Sequence, residues 1–136
     1  MTEISLKKLQ LNLSLMPYDE YTADRVRRTF KEKNTAFLEK KMFGGLCFMV
    51  DDKMCCGVMF NKKKETDLLM ARIGSFAAEA AMHRPGCKPM DFTGRPMKDY
   101  IFVTPDGYDT EEDLAYWVQL AIDFNPLAKA SKKRKK

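Results

Sequence analysis

An α+β fold, an antiparallel five-stranded sheet with three helices, is predicted by three features of this 136-residue sequence. Apolar residues recur at helical spacing near both ends, from Ala23 to Phe30 and from Leu114 to Phe124. Between them lie two stretches with the period-two alternation, or the continuous apolar run, of strands. A short alanine-rich segment divides those stretches. The order is therefore helix, three strands, helix, two strands, helix.

The elements follow in chain order. Residues 9 to 15, LQLNLSL, alternate leucine with polar side chains, so residues 1–15 read as a leader that could add an edge strand. Met16 is an alternative natural start to Met1. A helix is expected from about Pro17 to Lys33, with Pro17 in its first turn, Asp19 and Glu20 at its positive end, and Asn34 near its stop. Leu46, Phe48 and Val50 share one strand face, with Cys47 and Met49 on the other. Asp51 and Asp52 make a tight turn into a partner strand, where Met54, Cys56, Val58 and Phe60 alternate with Cys55, Gly57 and Met59. Apolar on both sides, this hairpin should be central in the sheet. DLLMARI supplies the third strand.

Ser75 can cap a short helix through FAAEAAMH, ended by Arg84, Pro85 and Gly86. KPMDF and MKDYIFV form a second strand pair around Thr93 and Gly94. Asp109 and Glu112 have capping-box spacing before the last helix, whose stripe is Leu114, Trp117, Val118, Ala121 and Phe124 or Ile122, and Pro126 stops it. The domain is residues 16–127, and residues 128–136 are a basic, disordered tail.

Charge is divided unevenly. The net +5 and pI near 9.0 suggest a basic protein. Yet the tail alone carries Lys129, Lys132, Lys133, Arg134, Lys135 and Lys136. Without these six, 18 cations face 19 acids, so residues 1–128 carry −1. The tail could neutralise phosphates and bind nucleic acid weakly and without sequence preference. The plainer reading, a solvated terminus that aids solubility, is preferred, because the body offers no basic face. There is no apolar run long enough to span a bilayer and no secretory h-region, which implies a cytoplasmic protein without membrane contact.

Four cysteines and one histidine invite a chemical reading. Zinc usually needs four ligands in paired clusters, whereas Cys55 and Cys56 are adjacent and should point to opposite faces, with Cys47 and Cys87 isolated. A nucleophile could pair Cys87 or Cys55 with His83, but nothing supplies an orienting group. Buried, reduced cysteines packing as small apolar residues fit better, and neither metal nor cofactor is expected. Gly44-Gly45 lacks a phosphate-loop pattern and leads into a strand, where it would permit a bulge or a close backbone approach. The methionine excess is best read as core filling.

Lys41-Met42-Phe43-Gly44-Gly45, then Phe48, then Lys53-Met54 closely resemble the central signature of the TfoX/Sxy N-terminal domain family. The resemblance continues through Asp67, Leu68 and Arg72, Gly86, Met90-Asp91-Phe92 and Gly94-Arg95-Pro96-Met97-Lys98, and closes at the helix containing Trp117. It spans roughly residues 16 to 125 and implies the same element order, a secretion-chaperone-like fold. It also implies a non-enzymatic interaction module, since two-domain members are regulators of competence acting with a transcription activator. This chain has no room for the second domain, so a stand-alone module is expected, with a protein partner such as transcription machinery.

Arg72, Arg95 and Lys98 are candidate contacts for an anion or a partner carboxylate. The plainer role for the arginines is a local ion pair, Arg95 with Asp91, Asp99 or a helix end. Pro96 suits a strand start or edge, and an exposed edge could accept a partner strand or a second copy, making a homodimer. Tyr18, Tyr21 and Tyr100 are expected to rim the core, and His83 to sit at a helix end.

Overall fold

Asp19 begins the first helix as its side chain accepts hydrogen bonds from Thr22 N at 3.0 Å and Thr22 Oγ1 at 2.8 Å. In the computed structural model of the chain, which describes residues 18–42, 44–62, 65–91 and 96–129, this helix, α1, spans Glu20–Glu32. It starts three residues later than Pro17, because Asp19 and not Pro17 sets its first turn. Asn34 ends it in a left-handed conformation, φ 54°.

The sheet has six strands rather than five. They are β1 (Leu38–Met42), β2 (Gly45–Val50), β3 (Lys53–Asn61), β4 (Thr66–Arg72), β5 (Cys87–Asp91) and β6 (Pro96–Val103). Their spatial order is β1-β2-β3-β4-β6-β5, every neighbouring pair antiparallel. The sixth strand is β1, LEKKM, which lacks alternation because it is an exposed edge. Two further helices, α2 (Ser75–Ala81) and α3 (Glu111–Phe124), complete the fold. Helix α2 is preceded by Gly74, with no side-chain cap, so Ser75 is its first residue and not its cap. For α3 the cap is Thr110, which accepts from Asp113 N at 3.0 Å, one residue beyond the Asp109 expected. A 3-10 turn over Asn125–Leu127 follows, with Pro126 inside it. None of the described helices is long and apolar enough to cross a membrane.

The main core draws on all three helices: Val26 and Phe30 of α1, Ala78 and Ala81 of α2, and Leu114, Trp117 and Val118 of α3. They meet Leu46, Phe48, Val50, Val58, Leu69, Ile101 and Val103 from the sheet. Burial of each larger side chain stabilises by about 1.5–3 kcal/mol relative to exposure. A second cluster contains strand residues only, with Cys47, Met54, Met70 and Met90 at its centre and Met42, Met49, Met97, Tyr100 and Phe102 around it. Of the eight described methionines, six thus pack on this side of the sheet.

The β2–β3 hairpin turns through Asp51 and Asp52, with φ of 53° and 64°, the signature of a mirror-image turn matched to strand twist. Its register then departs from simple alternation. Met49 faces Met54, but Phe48 faces Cys56, leaving Cys55 as an extra bulged residue. The bulge places Cys55 and Cys56 in the same main cluster and sends Met54 to the other one. The expected opposite facing of the two cysteines is therefore wrong. Gly44, at φ 71°, and Gly45 admit the preceding turn. A Cβ at Gly45 would collide with Val58 O and lie 2.8 Å from Met59 Cβ, so the glycine pair serves a close backbone approach.

Candidate functional site

All four cysteines are buried and free, while His83 is exposed. Cys56 is pushed well up from the ordinary thiol range by its hydrogen bond with Cys55 and then by burial. Burial moves Cys47 up to about 11, against a small opposing pull from Lys40. Cys87 is also raised by burial, with Arg84 working the other way. Raised thiols are poor nucleophiles at neutral pH. Among the described residues, no three His, Cys, Asp or Glu side chains are grouped to hold a metal ion.

Of the sequence-predicted contact residues, Arg72 and Lys98 are described, Arg72 paired across from Tyr100 and Lys98 two residues from Tyr100 on β6. Arg72, at the end of β4, lies over the Tyr100 ring at 5.2 Å and donates from Nη2 to Lys129 O at 3.2 Å. The local ion pair expected as its plainer role is not among the ion pairs of the described residues; an aromatic ring and a backbone carbonyl hold it instead. Lys98 is exposed on β6, while Arg95 lies outside the described residues with Gly94 and Phe43. Pro96 opens β6 as expected, but β6 is interior, so the edge on that side is β5. Of the tail, Lys129 is described and exposed; residues 130–136 lie outside, as do residues 1–17 with the expected extra strand. Lys53, quoted for its place in the signature, donates from Nζ to Asn125 O at 2.9 Å and Ala128 O at 3.2 Å. Asn125 returns the tie, its Nδ2 donating to Val50 O at 3.1 Å. Together they pin the turn after α3 to the β2–β3 hairpin.

Both sheet edges discourage pairing. On β1, Lys40 and Lys41 are exposed, and Glu39 is clamped by Arg27 of α1 with Nε–Oε2 2.6 Å and Nη2–Oε1 3.1 Å. On β5, Pro89 has no N–H to offer and the register shifts between Pro89 and Asp91. Recognition by an added strand therefore has little to work with.

Helix α2 is flanked by two hollows. A cavity of about 400 Å³ is lined by Ala78, Glu79, Met82, Met90, Lys98 and Tyr100, among others. A groove of about 380 Å³ runs between α2 and the end of α3, lined by Phe76, Leu120, Phe124 and Leu127 with Asp99 and Asp123. Here Phe76 is 88% exposed and Leu127 75%, more than the other large apolar side chains described. Gly74 makes room for the Phe124 ring, which a Cβ would approach to 2.7 Å. Asp99 and Asp123 form no ion pair among the described residues; Asp123 accepts one hydrogen bond, from Gln119 Nε2 at 2.8 Å. The groove is apolar with an acidic margin.

No local pattern in the sequence marks this groove. Phe76 was legible only as part of an alanine-rich helix, and Leu127 only as a residue beside Pro126.

The family model for the TfoX N-terminal domain matches residues 32–125. The chain belongs to the TfoX N-terminal domain family. Within the matched span Gly45 serves the strand approach and Lys53 the tie to the turn after α3. A crystal structure of a protein from Pseudomonas syringae is similar in fold, with TM-score 0.55 and 14% identity, covering 76% of this chain and 97% of that one. No curated protein matches the sequence.

Proposed function

We propose that this TfoX N-terminal domain protein is a non-enzymatic interaction module of the cytoplasm, regulatory in role, that docks its partner in the α2–α3 groove. The observation that carries the reading is the groove itself, with Phe76 88% and Leu127 75% exposed on one surface. Isolated exposed apolar residues are ordinary, but two at the lips of an apolar groove favour docking. The family membership supports a regulatory or interaction role, and the guarded edges direct recognition to the helices. The raised thiols favour binding over covalent chemistry.

The test is a photo-crosslinking amino acid placed in cells at position 76 and, as control, at position 40 on β1. The reading predicts a defined crosslinked polypeptide from position 76 that Leu127→Asp abolishes, and none from position 40. Crosslinks from position 40 with none from position 76 would overturn it.

A further inference from the structure

We infer that the α2–α3 groove receives a second copy of this chain: Phe76 and Leu127 of the two protomers pack together across a two-fold axis, and the basic tail of each lies against Asp99 and Asp123 of the other. The inference rests on the groove being the docking surface and names its occupant.

Self-complementarity is the first reason. A two-fold interface brings the same patch from both copies together, so a surface bearing both a groove and protruding apolar residues can fill itself. Phe76 and Leu127 protrude at the lips of the hollow they line. Each copy therefore brings two large apolar side chains and a place to put them.

Charge is the second reason. The groove margin carries Asp99 and Asp123, neither in an ion pair among the described residues. The same chain carries six cations from Lys129 onward and no acid there. An apolar residue followed by clustered cations is what an apolar groove with an acidic margin selects, and Leu127 with the tail is that pattern.

Reach is the third. Leu127 lines the groove, and Lys129 is held close by, its carbonyl accepting from Arg72 Nη2 at 3.2 Å. The tail thus leaves from the groove margin. Its last seven residues, extended, span about 24 Å, enough to cross an interface and meet the other copy's carboxylates. Sheet-edge pairing, the usual alternative for an exposed sheet, is obstructed by the charges of β1 and by Pro89.

Sedimentation equilibrium of the full chain, from micromolar to submillimolar concentration, tests this. A reversible dimer is expected, weakened about tenfold or more by Phe76→Asp and by Leu127→Asp. Both positions are exposed, and thermal melting confirms the fold; Phe76→Ser is the milder variant should either unfold. Deleting residues 130–136 weakens the dimer at low salt but not at high salt, where screening has already removed the charge contribution. Asp123→Lys weakens it likewise. A chain monomeric throughout, or a dimer untouched by both apolar variants, overturns the inference. A strictly monomeric chain whose position 76 still crosslinks to a different polypeptide overturns the second copy alone and leaves the interaction reading standing.

Discussion

Arg25 Nη2 donates to Tyr108 O at 2.9 Å, joining the first helix to the loop that launches the last one. The same nitrogen reaches Asp109 O at 3.1 Å and Thr110 O at 3.3 Å, while Nε meets Glu111 Oε2 at 3.1 Å. The two N–H donors of Nη2 are shared among the three carbonyls while Nε of the same plane points at Glu111, and a lysine ammonium has no second nitrogen to hold both directions at once. Arg25→Lys and Arg25→Ala should each cost about 2–3 kcal/mol, since the buried Tyr108 carbonyl and the half-buried carbonyls beside it lose their donor. Glu111, whose side chain is 70% exposed, should cost less than about 1 kcal/mol as Glu111→Ala. Urea unfolding checks the contrast, and equal losses would show that the ion pair, not the carbonyl clamp, matters.

Lys53 and Asn125 fasten the turn that carries Leu127. Lys53→Met should lower stability by about 1.5–3 kcal/mol, as expected on losing charge-assisted hydrogen bonds. Hydrogen exchange should quicken most at residues 125–128. A uniform change across the chain would mean that the tie is not local.

The helices and the five predicted strands were legible because their periodicities are strong: Val26 to Phe30, and Leu46, Phe48 and Val50, face one core as expected. The sixth strand was not, because an edge strand guarded by Glu39, Lys40 and Lys41 carries polar side chains on both faces. The bulge at Cys55 was also invisible, since a one-residue register shift leaves no mark in composition. Nothing local in the sequence sets Arg25 apart, because its partners lie 83 to 86 residues away. The groove arises from packing α2 beside the end of α3, a tertiary relationship no local pattern encodes.

Gly45→Ala should destabilise by about 1–3 kcal/mol, the usual cost of forced overpacking, because its Cβ would press on the Val58 carbonyl. Gly44→Ala meets no atom within 4 Å, so its cost comes from φ 71° alone and should be about 1 kcal/mol. Thermal melts of the two variants give the order; the reverse order would place the constraint in the turn and not in the strand pair.

Stability should fall as pH rises from about 9 to 11. The Cys47 thiol, ordinarily near 9.0, is held up to about 11 by burial, so unfolded chains ionise there while the native thiol stays protonated. A raised folded value gives stability that is complete below pH 9 and lost as pH climbs through 11. Cys87, Tyr100 and Tyr108 shift in the same direction, again through burial. Urea midpoints across this range should decline, and Cys47→Ala should flatten part of the slope. An unchanged slope would remove Cys47 from the effect.

The central claim is that the sulfur-rich strands are packed interior and that this molecule works through its helical exterior by contact alone. Timed alkylation of the native protein near neutral pH, read thiol by thiol by mass spectrometry, tests it most directly. The account predicts that Cys47, its thiol held up to about 11 by burial, labels far slower than a free thiol, with Cys55, Cys56 and Cys87 also slowed and all four reacting in urea. A native Cys55 or Cys87 that labels faster than a free thiol would contradict it.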